Sequence, residues 1–366
     1  MSDLQHMNAA LALARRGLGR VWPNPAVGCV IVKDDAVVGR GWTQPGGRPH
    51  AETEALRRAG REALGATMFV TLEPCGHWGK TPPCADAIVN AGMARVVASL
   101  EDPHPKVKGG GFARLREAGI AVETGLGNDA AREINAGFFQ RLDIGRPLVT
   151  LKMASTLDGR IALASGESRW ITGEAARQRA HLLRATHDAV LIGVGTAVAD
   201  DPELTCRLPG MADRQPVRIV IDPGLRLPLT AKLVSTAAMA PTWVVTRNGG
   251  DGARLRAFRR AGVELIEMSG SNTDEGLDLD LALQALGLKG LTRILVEGGA
   301  RLAAGLLRRD LVDRVAWFHA PTVIGDDGIG AMAALGLDDL AKAPRFMREA
   351  TSSVDDDLLE TLTRRA

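Results

Sequence analysis

Short runs of aliphatic and β-branched residues alternate with helix-length stretches along the whole chain, and that alternation restricts the fold to α/β layering. Val27 to Val32 and Val37 to Gly41 flank the polar Lys33-Asp34-Asp35 and read as a hairpin. Ala51 to Ala59 reads as a helix, Thr67 to Leu72 as a strand and Pro83 to Asn90 as a helix. Strands are expected at Arg95 to Ser99 and Ile120 to Glu123, with a helix from Gly111 to Glu117 between them. Asn128 to Phe139 reads as one helix, with Asn128 as N-cap before an acidic first turn. Gly145 and Pro147 then break the pattern, so a boundary is placed there, dividing 1–145 from 146–366.

A second α/β series follows the break. Its expected strands are Leu148 to Ala154, Ala189 to Ile192, Val217 to Ile221, Thr242 to Thr246, Val263 to Glu267, Ile294 to Val296 and Val315 to Phe318. Helices are expected at Glu174 to Leu183, Ala253 to Ala261, Leu279 to Leu286 and Ala300 to Leu307, and the polar stretch Ser269 to Asp280 as a surface loop. Two domains also suit 366 residues at roughly 150 per domain.

Lys plus Arg is 45 and Asp plus Glu is 43, a balance that argues against a protein coating duplex nucleic acid. The start of the chain reads as an amphipathic helix, with Leu4, Met7, Leu11 and Ala14 on one face and a stop at Gly17. It lacks a basic region before its apolar stretch, and no run of 18 apolar residues occurs anywhere. A soluble, cytoplasmic protein with reduced thiols, and no membrane or nucleic-acid partner, is expected.

The four cysteines are Cys29, Cys75, Cys84 and Cys206, too few for a disulfide scaffold in a chain this long. His50-Ala51-Glu52, Pro74-Cys75 and Pro83-Cys84 supply one imidazole and two thiolates and leave a fourth metal position open. That is the H-x-E plus P-C…C pattern of zinc-dependent deaminases, in which a non-ligand carboxylate, here Glu52, moves protons. Eight residues, GHWGKTPP, separate the cysteines where the general pattern has two, and the extra length suits a substrate loop. A structural knuckle with His77 as fourth ligand, or a pair of inert thiols, is the competing reading. For His6, His104, His181, His187 and His319 an ordinary surface or core role is expected.

In the second half, Leu295-Val296-Glu297-Gly298-Gly299 runs from strand into helix, which suits a pyrophosphate cradle and equally a tight turn. Gly193-Val194-Gly195-Thr196-Ala197-Val198 lacks the third small residue of a Rossmann fingerprint. Arg184 and Arg207 suit bidentate contacts to a 5′-phosphate. Arg247, just after a strand, is the candidate for the 2′-phosphate of a dinucleotide.

Asn24-Pro25-x-Val27-Gly28, His50-Ala51-Glu52 and PCGHWGKTPPC together resemble the RibD family of bifunctional riboflavin-biosynthesis enzymes. The resemblance extends from about Met7 to the last strands. It implies a cytidine-deaminase-like three-layer domain followed by a dihydrofolate-reductase-like domain. It further implies one zinc ion per chain, NADPH as cofactor, and a pyrimidine ribosyl phosphate that is first deaminated and then reduced from ribosyl to ribityl. Carried over by motif, His50, Cys75 and Cys84 are the zinc ligands and Glu52 the proton shuttle, while Asn24, His77 and Lys80 contact the substrate. Ala154, Trp170, Thr196, Asp200, Gly298, Gly299, Ala300 and Arg301 fall at NADPH positions, and Lys152, Ser168, Arg184, Leu204, Arg207 and Glu297 at substrate positions. One departure is visible: many members carry a histidine shortly before the HAE, where this chain has Thr43, a residue that bonds hydrogen but bears no charge. Rival readings are a nucleoside or tRNA deaminase fused to an unrelated reductase, and a zinc-stabilised binding module. A homo-oligomer is expected.

Overall fold

Three glycines let two helices approach one hairpin from opposite sides. The hairpin is β1 (Gly28–Lys33) and β2 (Ala36–Trp42), and the helices are α1 (Asp3–Ala14) and α2 (Ala51–Ala59). A Cβ on Gly28 would lie 1.9 Å from the Ala10 carbonyl oxygen of α1. On Gly39 and Gly41 it would lie 2.5 Å from the Ala55 oxygen and 2.1 Å from the Ala51 oxygen of α2. Cys29 pairs with Gly41 and Gly28 with Trp42, so alternate residues present opposite faces of the sheet to the two helices.

The structure, a computed structural model, describes residues 2–79, 81–104, 108–269 and 276–365. The chain divides into two compact units, Met1–Ile144 and Gly145–Ala366. In the first, β3 (Thr67–Val70), β4 (Arg95–Ala98) and β5 (Ala121–Thr124) complete a five-stranded sheet of order β2-β1-β3-β4-β5. The β1–β2 and β1–β3 pairs are antiparallel, and β3–β4 and β4–β5 parallel. The sheet is sandwiched between α2, α3 (Cys84–Asn90) and α4 (Gly110–Glu117) on one side and α1 and α5 (Asn128–Ile134) on the other, the three-layer deaminase-like arrangement. Its core is built from Ala, Val, Ile, Leu and Met with Phe69 and Phe112 as the fully enclosed rings.

The helix expected over Asn128 to Phe139 is instead two helices, α5 and α6 (Ala136–Ile144). Asn135 separates them because its side chain is committed elsewhere: Oδ1 accepts from the Ala26 amide at 2.8 Å, and Nδ2 donates to the Ala26 carbonyl at 3.1 Å. Nor is Asn128 the N-cap. Gly127, at φ 74°, takes that position, and the Asn128 side chain accepts from Arg132. Leu4, expected on the buried face of α1, is half exposed, and His6 and Ala10 join Met7, Leu11 and Ala14 beneath the helix.

The second unit contains a nine-stranded sheet. Its parallel part comprises β6 (Leu148–Thr156), β8 (Ala189–Gly193), β9 (Val217–Ile221), β10 (Thr242–Arg247), β11 (Glu264–Met268), β12 (Arg293–Glu297) and β13 (Arg314–Ala320). Two strands sit apart as a small antiparallel ribbon, β7 (Arg160–Leu163) and β14 (Gly328–Gly330). A C-terminal hairpin, β15 (Phe346–Val354) and β16 (Asp357–Arg364), joins antiparallel to β13. The order is β11-β10-β9-β8-β12-β6-β13-β16-β15, a dihydrofolate-reductase-like sheet. Its helices are α7 (Glu174–Ala185), α8 (Val194–Asp200), α9 (Lys232–Ser235), α10 (Gly252–Arg260), α11 (Leu279–Leu288) and α12 (Ala300–Arg308). Of the expected loop from Ser269 to Asp280, 270–275 lie outside the described residues, and Asp278 is the N-cap of α11, its carboxylate accepting from Asp280 and Leu281. No described helix is long and apolar enough to cross a membrane.

Because Gly28 faces the α1 backbone, Gly28→Ala is expected to destabilise the first unit by at least the about 1–3 kcal/mol of an overpacked core. Differential scanning calorimetry reads this as a lowered first-unit transition, and an unchanged melting profile would contradict the packing described.

Candidate active sites

Ala51, held against Gly41, is flanked by the two residues of α2 that matter chemically. His50 is the N-cap of α2 and Glu52 lies in its first turn. Cys84 opens α3, and its backbone N–H donates to Cys75 Sγ at 3.3 Å while the Ala85 N–H donates to the Cys75 carbonyl at 3.1 Å. The segment carrying Cys75 is anchored by Glu73, whose carboxylate accepts from the amides of Asp102, Gly109, Gly111 and Phe112. His50 Nδ1 therefore stands 3.7 Å from Cys75 Sγ and 3.3 Å from Cys84 Sγ.

These spacings suit one tetrahedral ion, since donors at about 2.0 and 2.3 Å from zinc sit roughly 3.5 Å apart. All the ligand atoms lie within 4.8 Å of one another, and no fourth protein donor joins them among the described residues. His77, the fourth ligand of the structural-knuckle reading, is exposed and outside the cluster. All four cysteines are free thiols. Hydrogen bonding from the Cys84 thiol, with help from His50, holds the Cys75 thiol far below its ordinary value, at about 4, so a thiolate is available as ligand.

Glu52 is 3% exposed, and burial lifts its carboxyl to about 6. At that value the group exchanges protons near neutral pH, as a general acid–base requires. Thr43, the departure noted in the sequence, is buried and works through its hydroxyl. It accepts from the Val27 amide at 3.0 Å and donates to the Pro25 carbonyl at 3.1 Å, fixing the loop that carries Asn24. The Asn24 amide packs over Gly47, where a Cβ would come within 1.8 Å of Nδ2. The insertion between the cysteines is tied back by Arg48, which donates to Thr81 Oγ1 at 2.5 Å. Lys80 lies outside the described residues.

In the second unit, a cleft of 960 Å³ runs along the carboxyl ends of β12, β8 and β9, and a 410 Å³ recess shares its wall at Lys152, Ala154, Ser168, Arg184 and Glu297. The large cleft also collects Thr196, Asp200, Leu204 and the Gly298-Gly299-Ala300-Arg301 turn. Trp170 and Arg207 line the recess, Trp170 exposed with the Arg177 guanidinium 4.4 Å from its ring centre. Arg247 lines neither.

The centre of this site is a half-buried ion pair. Arg184 Nε and Nη2 donate to the two Glu297 oxygens at 2.5 and 2.8 Å, and Nη1 donates to the Thr205 carbonyl at 2.9 Å. The Arg184 fork expected to grip a phosphate is thus turned toward Glu297. Burial pushes Glu297 up, but Arg184 and Lys152 outweigh it and hold the carboxyl at about 2. Burial lowers the Lys152 ammonium, with Glu297 opposing.

Sequence reasoning missed several residues here. His181 lines the recess beside Arg184 and Arg207; its spacing of three from Arg184 on one helix was the available signal. The β7–β14 ribbon contributes Ile161, Ala162 and Ile329 to the cleft wall, and Asp158 secures it by accepting from Thr156 Oγ1 at 2.5 Å and from the Gly325 amide at 2.6 Å. Strands of four and three residues give no periodicity to read.

Residues 147–356 match the model of the RibD C-terminal domain, and residues 1–100 that of the cytidine and deoxycytidylate deaminase zinc-binding region. The RibD protein of Escherichia coli K12 is 44% identical over 94% of this chain and 95% of its own length. Acinetobacter baumannii RibD superposes with a TM-score of 0.89 at 40% identity, covering 100% of this chain and 99% of that one. The chain belongs to the RibD family. A Thermotoga maritima structure described as a diaminohydroxyphosphoribosylaminopyrimidine deaminase and 5-amino-6-(5-phosphoribosylamino)uracil reductase matches at TM-score 0.86 and 34% identity, over 99% of this chain and 98% of that one. RibD membership makes this a bifunctional enzyme of riboflavin biosynthesis, a zinc-dependent hydrolase and an NADPH-dependent oxidoreductase in one chain.

The Glu297 value fixes a pH window. Its folded value of about 2 lies below the unfolded one near 4.3, so the pair's stabilisation is complete above pH 4.3 and is lost as pH falls toward 2. Glu297→Gln strands Arg184 and should cost the second unit about 3–5 kcal/mol at pH 7. Calorimetry between pH 2 and pH 7 should show about one proton less of acid linkage in the variant; an undiminished acid limb would contradict the assignment.

Proposed function

We propose that residues 1–145 carry the deamination and residues 146–366 the reduction, in that order, on one pyrimidine ribosyl phosphate. The observation that carries this reading is chemical separation. The three-donor cluster with its buried, proton-exchanging Glu52 lies in the first unit, whereas the dinucleotide-sized cleft belongs to the second. The substrate is the diaminopyrimidinone ribosylamino phosphate named by the relatives' activity, and the product carries a ribityl chain.

His50, Cys75 and Cys84 hold zinc, and Ala154, Trp170, Thr196, Asp200 and the turn from Gly298 to Arg301 hold NADPH. When bound, zinc acidifies its water and NADPH supplies a hydride. Glu52 accepts a proton at its carboxylate as water adds to the ring carbon, then returns it to the departing amine. Asn24, on the loop braced by Thr43, orients the pyrimidine, while His77 and Lys80 meet the substrate from the insertion. In the second site Lys152, half-buried beside Glu297 and lowered by burial, gives a proton to the ribose as its ring opens. Glu297 keeps Arg184 in place, and Ser168, Leu204 and Arg207 complete the substrate wall. The free thiols accord with a cytoplasmic enzyme. Strand β15, mostly exposed at the edge of its sheet, offers a surface for a homo-oligomer.

Chelation tests the division of labour. With ammonia and NADPH absorbance followed separately, a zinc chelator should abolish ammonia release from the diamino substrate and leave NADPH oxidation on the deaminated substrate intact. Loss of both activities with unfolding would favour a structural metal and contradict the proposal.

A further inference from the structure

With the Arg184 fork turned toward Glu297, the recess has to meet a phosphate with other donors. Its walls carry Lys152, Arg177, Arg184 and Arg207 against the carboxylate of Glu297, an excess of cations that suits a dianion. Arg184 is committed to Glu297, and Arg177 donates to the Thr172 carbonyl at 2.8 Å and lies over the Trp170 ring. Arg207 is exposed, and its contacts to Glu203 and to Thr205 Oγ1 are long, 3.4 Å each.

His181 stands among these cations. It lies one turn before Arg184 on α7, four residues after Arg177, and faces the same recess. Its Nδ1 is 3.0 Å from the Thr205 carbonyl oxygen and 3.3 Å from the Arg207 backbone nitrogen. A carbonyl only accepts, so the proton of the neutral ring sits on Nδ1 and the lone pair on Nε2. Nε2 has no hydrogen-bond partner among the described residues. The charged groups around the ring are Arg177 and Arg184 of α7, Arg207 and Glu203 of the loop after α8, Glu297 of β12 and Lys152 of β6. Burial, then Arg184 and Arg207, push the imidazole below its ordinary value, with the Thr205 carbonyl and Glu297 opposing. A phosphate dianion between Arg207 and Nε2 reverses that balance, because it screens the guanidinium groups and favours a second N–H on the ring.

We infer that His181 takes up a proton as the substrate enters the recess, its Nε2–H then donating to the phosphate beside Arg207. The inference rests on the reading of this recess as the substrate site of the second unit. Binding is then linked to protons: above about pH 7, where a phosphate ester with a second pKa near 6 is already dianionic, affinity falls as pH rises.

Isothermal titration calorimetry of the full chain with ribose 5-phosphate, repeated in buffers of different ionisation enthalpy, counts the protons taken up. His181→Gln keeps an amide donor and cannot titrate, and it shares the first unit with the wild type, so the difference between them belongs to the recess. The wild type should take up about half a proton more than His181→Gln near pH 7.5, and its Kd should rise more steeply between about pH 7 and 8.5. His181→Ala should weaken binding about tenfold or more, the range of one hydrogen bond to a charged group, with Gln recovering part of the loss. Equal proton uptake by wild type and His181→Gln, or unweakened binding by His181→Ala, would overturn the inference. A wild type that does not bind ribose 5-phosphate, or an Arg207→Ala chain that binds it as tightly as the wild type, would overturn the reading of the recess itself.

Discussion

The deaminase site depends on one backbone contact, the Ala51 carbonyl of α2 lodged against Gly41 of β2, where a Cβ would intrude to 2.1 Å. With Ala51 pressed into the sheet, the residues on either side of it have no freedom of placement. His50 is left at the helix start, facing the two cysteines, and Glu52 is driven beneath the helix into an environment dry enough to hold its carboxyl near 6. The same insertion leaves Glu52 outside the ligand cluster with a raised carboxyl. Its burial raises the cost of the charged form, whereas Cys75 sits where the Cys84 amide and thiol favour the anion.

In the second unit the organising contact is electrostatic. Glu297 ends β12 and Arg184 lies on α7, 113 residues earlier, and their bidentate pair joins the two walls of the cleft. Lys152, on the neighbouring strand β6, completes a three-charge group in which one carboxylate serves two cations. Such an arrangement is costly to bury and poor as a source of stability. Its value here is positional, since it holds a lowered lysine and an acid at the floor where the cleft and the recess meet.

Much of this was legible beforehand, and the reasons differ by element. Helix α2 matched its expected bounds because its apolar period and flanking residues agree. The metal set was legible because three soft donors bracket a carboxylate at recognisable spacing. Elements held by tertiary contacts were not. Asn135 breaks a helix that propensity would continue, because the Ala26 backbone claims its side chain. Strand β15 carries polar residues along an exposed edge and shows no buried face to read. Arg247 was read from its place after a strand; it ends β10 and lines neither the cleft nor the recess, a position set by strand order in the sheet. Likewise the Arg184 fork, read as suited to a phosphate, is engaged by Glu297 far along the chain.

The central claim is that a buried carboxyl, distinct from the metal ligands, moves the proton in deamination. Glu52→Gln keeps the size and burial of the side chain and removes that proton exchange. Zinc content measured by mass spectrometry alongside ammonia release should show an unchanged metal stoichiometry and a loss of deamination of about a hundredfold or more, with NADPH oxidation on the deaminated substrate preserved. Retained ammonia release, or loss of zinc with the substitution, would contradict the account.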